Sequence, residues 1–159
     1  MIEVGKPAPP FSLASSDGGT LTLASLRDQL VVLYFYPRDS SPGCTTQALA
    51  FRDAVPAFKQ AGAVVLGVSK DSIASHCRFR DKQGLTFALL SDPEREVLEA
   101  YGAWGDKLMY GKQVQGVIRS TVLIGKTGKV LRHWPKVSLK GHVDEVLAAL
   151  PPPVAQELG

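Results

Sequence analysis

Val31-Val32-Leu33-Tyr34-Phe35-Tyr36-Pro37-Arg38-Asp39-Ser40-Ser41-Pro42-Gly43-Cys44-Thr45-Thr46 runs from an unbroken apolar stretch, through a turn rich in Pro, Ser and Gly, into a segment of different period. An apolar run bounded by turn residues suits a strand covered on both faces. From there Cys44, Ala48, Phe51, Val55 and Phe58 recur at offsets of four, three, four and three, which predicts a helix over 43–61. A second apolar run, Ala63-Val64-Val65-Leu66-Gly67-Val68, completes a strand–helix–strand unit, and both runs are placed at a sheet centre. Pro56 removes a backbone donor and crowds the preceding turn, so a kink or restart is expected near Val55.

Upstream, Phe11-Ser12-Leu13 and Thr20-Leu21-Thr22-Leu23 flank Asp17-Gly18-Gly19, the signal of an N-terminal β-hairpin. Downstream, Asp71-Ser72 caps a helix that Gly84 stops after Gln83, and a strand follows near Phe87 to Leu90. Asp92 is read as the cap of a helix from Glu94 to Tyr101, and Gly102 to Gly116 as a loop. Ser120 to Ile124 and Val130 to Trp134 pair across Gly125-Lys126-Thr127-Gly128. A last helix spans about Gly141 to Leu150, and 151–159 is expected to be a mobile tail. The class is α/β, a central sheet flanked by helices with an N-terminal β-hairpin.

With 159 residues, 45% of them apolar and 21% charged, the chain can bury one core, and 1–159 is read as a single domain. A net charge of +3, spread without runs of like charge, argues against nucleic acid or a membrane surface as partner. The start carries no basic region followed by an apolar stretch, so the protein is expected to be cytoplasmic. Two cysteines in a chain this long are no disulfide scaffold; in a reducing compartment they are catalytic, redox-sensing or inert. Two Cys with scattered His76, His133 and His142 give no tetrahedral metal spacing.

Cys44 falls in the first turn of its helix, where amides lack internal partners and the dipole favours a thiolate. Two readings stand: a nucleophile, or an inert cysteine heading the stripe of Ala48, Phe51 and Val55. Arg119, inside the apolar Gly116-Val117-Ile118-Arg119-Ser120-Thr121-Val122-Leu123-Ile124, needs a partner. Either it makes a structural ion pair or it faces Cys44.

Pro37-x-x-x-Ser41-x-x-Cys44 resembles the peroxiredoxin active-site motif. Tyr34 to Arg52, Tyr101-Gly102-Ala103-Trp104-Gly105 with Met109-Tyr110-Gly111-Lys112, and Gly116 to Thr121 look like the peroxiredoxin Q, or bacterioferritin-comigratory-protein, subfamily. Three separated motifs in order are far more specific than one. The resemblance implies a thioredoxin-like fold with a central mixed β-sheet, hydrogen peroxide and organic hydroperoxides as substrates, no metal or organic cofactor, a thioredoxin-like reductant and a monomer. It makes Cys44 peroxidatic, with Ser41 hydrogen-bonding its sulfur and the peroxide, Pro37 shielding the pocket and Arg119 supplying the cation.

In many proteins of this kind the resolving cysteine lies five residues after the peroxidatic one, here Leu49; in others it aligns near Arg80, whereas this chain has Cys77 one turn earlier. Cys77 is read as the resolver through a disulfide with Cys44, against a one-cysteine cycle with an external thiol. If Phe79 is the buried anchor of its helix, Cys77 faces outward, and His76 is expected to be a solvated surface residue. A thiol–disulfide oxidoreductase would need a second cysteine at position 47, which is Gln. A peroxide-sensing thiol protein is the non-enzymatic alternative.

Overall fold

In the computed structural model, which describes residues 2–152, the predicted hairpin forms from β1 (Ser12–Ser15) and β2 (Thr20–Thr22), antiparallel to each other. A single 3-10 turn (Ala24–Leu26) leads to β3 (Leu30–Phe35), then α1 (Pro42–Gln60) and β4 (Ala63–Ser69). β3 and β4 pair in parallel, which the α1 crossover between them makes possible. Next come α2 (Ile73–Gln83), β5 (Ala88–Ser91) and α3 (Glu96–Ala100). The chain continues as β6 (Trp104–Met109), β7 (Lys112–Val117), β8 (Ser120–Ile124), β9 (Val130–Trp134) and α4 (His142–Ala149).

The seven-stranded mixed sheet has the order β2-β1-β5-β4-β3-β8-β9. Its central strands are the two apolar runs of the sequence, buried on both faces. Alternate β3 side chains serve different layers: Val31, Leu33 and Phe35 join one cluster with Leu98 and Tyr101, while Leu30, Val32 and Tyr34 join another with Phe51, Phe58 and Phe79. Gly67 on β4 is required by this second layer. A Cβ there would stand 3.0 Å from Leu89 Cδ2 and from the Tyr34 ring, which stacks on Phe51 at 4.5 Å and cannot retreat.

Several expectations are corrected. The stretch from Gly102 to Gly116 is no loop: β6 and β7 form a separate antiparallel hairpin, Trp104 opposite Val117 through Met109 opposite Lys112. Its turn places Tyr110 and Gly111 at φ +54° and +78°, a pair of left-handed residues that suits the strand twist. Asp92 does not cap a helix beginning at Glu94; α3 starts at Glu96 after the left-handed Arg95, and the Asp92 carboxylate accepts from the Leu98 amide (2.8 Å). α1 continues through Pro56 without a restart, because Phe51 and Phe58 are both fully buried while Pro56 is exposed, leaving the freed carbonyl to water. The predicted tail begins at Pro151 and Pro152, and 153–159 lie outside the described residues.

Ser72 caps α2 by accepting from the Ser75 amide, and Gly84 ends it at φ +63°. Trp104 lies between the Lys70 ammonium (5.1 Å) and the Arg95 guanidinium (4.6 Å). Trp134 meets the His142 ring edge-on at 5.7 Å. Among the described residues no helix is long and apolar enough to cross a membrane.

Candidate active site

The turn between β3 and α1 carries Pro37, Ser41 and Cys44. It is tightened by Ser40, a non-glycine residue at φ +66°, which costs about 1–3 kcal/mol and needs a supporting frame. Pro42 takes the first position of α1, where its missing N–H is no loss. The first intrahelical bond comes from Thr45 N to the Ser41 carbonyl (2.9 Å), so the Gly43 and Cys44 amides have no acceptor within the helix. Cys44 is 1% exposed and heads the apolar face that continues through Ala48 and Phe51.

Arg119 faces Cys44, as one of its two sequence readings required. It lies on the bridge between β7 and β8, and β8 is bonded to β3 in antiparallel register with Ser120 opposite Phe35. That pairing brings its guanidinium to the end of β3. Nη2 donates to the Cys44 sulfur at 3.4 Å, and Nη1 donates to Gln47 Oε1 at 2.6 Å. Gln47 is 3% exposed, and its side-chain amide nitrogen has no hydrogen-bond partner among the described residues. The sequence reading used position 47 only to exclude a second cysteine. Its three-residue offset from Cys44, which puts both on one helix face, was the overlooked signal.

Ser41 behaves differently from the motif's role. Its hydroxyl donates to the Arg38 carbonyl (3.2 Å), a local turn bond, and not to the sulfur. Pro37 is half-buried and, with Arg119, lines a groove of about 700 Å³ whose far wall is the β6–β7 hairpin and Val137. The groove gives a small substrate a path to the Arg119 guanidinium.

Cys77 is elsewhere. Phe79 is the buried anchor of α2, at 1% exposed, yet Cys77 is only half-exposed. Its thiol donates to the Ser16 carbonyl at 3.6 Å, the same oxygen that the Arg80 guanidinium bonds. Ser16 follows β1 and Arg119 precedes β8; four strand spacings, roughly 19 Å, separate those strands. Both thiols are free.

His76 is not a surface residue. It is fully buried, with Nδ1 at 2.7 Å from Asp39 Oδ2 and Nε2 at 3.0 Å from the Leu90 carbonyl. One residue before Cys77, it points inward because α2 turns it toward Tyr36 and Phe79. Asp39 also accepts from the Tyr36 hydroxyl (2.6 Å) and the Ser75 hydroxyl (2.8 Å). Burial tends to raise the Asp39 pKa, but the bonds from His76, Tyr36 and Ser75 and the charge of His76 outweigh it and hold the carboxyl below its ordinary value. Burial, joined by neighbouring Tyr34 and Asp39, pushes the Tyr36 hydroxyl well up. It therefore acts as a donor throughout the neutral range.

Chemically, a sulfur at a helix start under a guanidinium can attack an electrophilic oxygen while the same cation and the free amides receive the negative charge that develops. Residues 4–133 match the AhpC/TSA family. The chain is 47% identical to the putative peroxiredoxin bcp of Coxiella burnetii over 94% of its length and 99% of that protein, and 44% identical to peroxiredoxin Bcp of Bacillus subtilis over 94% and 95%. Among solved structures, Xanthomonas campestris bacterioferritin comigratory protein, studied as a trapped intermediate/ligand complex for its alkyl peroxide reduction activity, superposes with a TM-score of 0.84 at 44% identity, covering 94% of this chain and 96% of that one. A cysteine held this way, on this sheet and with these relatives, places the chain in the AhpC/TSA family as a peroxiredoxin of the Bcp/peroxiredoxin Q kind, with the thioredoxin-like fold of that group.

Proposed function

We propose that the protein reduces hydrogen peroxide and organic hydroperoxides with Cys44, and that Cys77 resolves the oxidised sulfur before a thioredoxin-like dithiol restores both. The observation that carries this reading is the Arg119 guanidinium 3.4 Å from a buried sulfur in the first turn of α1. The Cys44 thiolate attacks one peroxide oxygen, the S–O bond forms as the O–O bond breaks, and the departing oxygen takes a proton to leave as water or an alcohol. Making a thiol more acidic raises its thiolate fraction but lowers its nucleophilicity with a Brønsted coefficient of about 0.4–0.5. The larger contribution therefore comes from binding the charged oxygens in the transition state, by Arg119 and the Gly43 and Cys44 amides. Pro37 screens the sulfur on the groove side. Ser41 can serve the substrate only by turning its hydroxyl away from Arg38. The alkyl peroxide activity of the Xanthomonas relative supports the organic substrates.

The sulfenic acid then meets Cys77: the S–S bond forms, the S–O bond breaks, and water leaves. A disulfide needs Cα atoms within about 7 Å, so Cys44 must leave Arg119 and Cys77 must leave Ser16. The cycle draws on no residue of a second copy, since both cysteines lie in one chain.

Intact-mass and peptide analysis after one equivalent of hydrogen peroxide tests the reading. A loss of two hydrogens mapped to Cys44 and Cys77 is expected. A stable added oxygen on Cys44 would make the resolver external, and an unmodified Cys44 would refute the peroxidase chemistry at this site.

A further inference from the structure

The buried cluster around His76 joins the two cysteine-bearing segments. From the Cys44 side come Tyr36, at the end of β3, and Asp39, in the turn into α1; from the Cys77 side come Ser75 and His76, in the first turns of α2. Asp39 is 6% exposed and His76 is 0% exposed. Both imidazole nitrogens are bonded, Nδ1 to the Asp39 carboxylate with the Tyr36 hydroxyl 3.4 Å away, and Nε2 to the Leu90 carbonyl. The ring is thereby held from both sides, by the turn that carries Asp39 and by β5. Asp71, from the turn before α2, completes the surroundings: its carboxylate accepts from the Asp39 amide (2.9 Å) and the Ser69 hydroxyl (2.6 Å). The charged groups around the ring are thus Asp39 and Asp71, with Tyr36, Ser75 and the Leu90 carbonyl as its polar neighbours.

Ligand atoms of Asp39, Asp71 and His76 lie within 4.8 Å of one another. The Asp39 oxygens are filled by three hydrogen bonds, and Asp71 Oδ2 by two. The arrangement is a clasp already satisfied by its own donors, not an open metal site.

A buried polar cluster of this kind is rigid while every member is bonded and weakens sharply when one partner is lost. We propose that His76 is a positioning residue for the resolving step: bonded to Asp39 and to the Leu90 carbonyl, it fastens the turn that carries Cys77 to the turn that leads into Cys44, and it must let go before the two sulfurs meet. Peroxide attack does not depend on the clasp, because the groups at the Cys44 sulfur and its cation are Arg119 and Gln47 and not Asp39 or His76. Resolution needs it open. The inference rests on Cys77 being the resolver, as proposed above.

Single-turnover oxidation by hydrogen peroxide, followed by separate timing of Cys44 oxidation and of disulfide formation, tests it in wild type, His76→Gln, Asp39→Asn and the double variant. Oxidation is expected to stay within about twofold, and disulfide formation to quicken on the order of tenfold in each single variant, as local opening becomes easier. The double variant should be no faster than either single one, since all remove the same contact. Unchanged or slower disulfide formation, or effects that multiply in the double variant, would overturn the clasp. Should the variants fail to fold, hydrogen exchange on wild type decides. Corrected for intrinsic rate and at fixed pH, protection of the amides at 75–79 should fall when Cys44 is bridged to Cys77, since the clasp must then be open; equal protection in the reduced and bridged protein would overturn the inference. A wild type that forms no Cys44–Cys77 bridge removes the two-cysteine reading and the clasp's role with it. A normal bridge with variants at wild-type rate removes the clasp alone.

Discussion

The surroundings of Cys44 and of Cys77 are built on opposite plans. Cys44 is 1% exposed, sits in a helix that Phe51 and Phe58 anchor to the sheet, and has a cation on its sulfur that is itself fixed by Gln47. Cys77 is half-exposed and held by one long thiol bond to a carbonyl it shares with Arg80. The first arrangement is made to stay still at the moment of reaction. The second is made to be left.

The widest gap between the two should open on Arg119→Met. Removing a donor aimed at developing charge slows oxidation of Cys44 by roughly a hundred- to a thousandfold, measured by stopped-flow against hydrogen peroxide, while alkylation of Cys77 stays unchanged. A loss no greater than the lost thiolate fraction would show that the cation only titrates the sulfur. A smaller effect tests the frame behind Cys44. Gly67→Ala pushes a methyl into the Tyr34 ring and Leu89, and should lower stability by about 1–3 kcal/mol in urea at constant m. An unaffected midpoint would mean this layer yields more readily than its stacking suggests.

The smallest effect separates the two regions by pH. Burial pushes His142, which packs near Phe51 in the Cys44 layer, below its ordinary value against an opposing pull from Glu145; burial lowers His133 too. The unfolded chain then binds protons first, so their contribution is whole above about pH 6.5 and is lost as pH falls through the folded values. The Asp39 carboxyl, held low despite its burial, keeps its contribution above about pH 3.9 and loses it below, as pH falls through its folded value. Thermal unfolding should therefore decline in two steps on acidification. His142→Gln should flatten the upper step and Asp39→Asn the lower, and a single step unaffected by either would break the distinction.

Most of the scaffold was legible because its signals are local. Runs such as Val31 to Tyr36 and the offsets from Cys44 to Phe58 need no knowledge of the rest of the chain, and the caps at Ser72 and Gly84 are chemical punctuation. The β6–β7 hairpin escaped because its strands lie outside the main sheet and carry Asp106, Lys107, Gln113 and Gln115 in place of a continuous apolar run. At the site, the motif located Cys44, Pro37 and Arg119, but not the Ser41 bond to Arg38, which depends on a hydroxyl rotor. His76 was misjudged for a related reason. Its burial comes from Asp39, 37 residues away, and no periodicity in α2 announces a polar anchor.

The two tryptophans turn this layout into an optical signal. Trp134 carries the Arg132 guanidinium over its ring at 4.8 Å and lies edge-on to His142, so protonation of that ring adds a second cation within 5.7 Å of the indole. Trp104 is clamped instead between Lys70 and Arg95. The emission of the folded protein should therefore dim on mild acidification from one indole only, reporting the state of the Cys44 layer without any added dye.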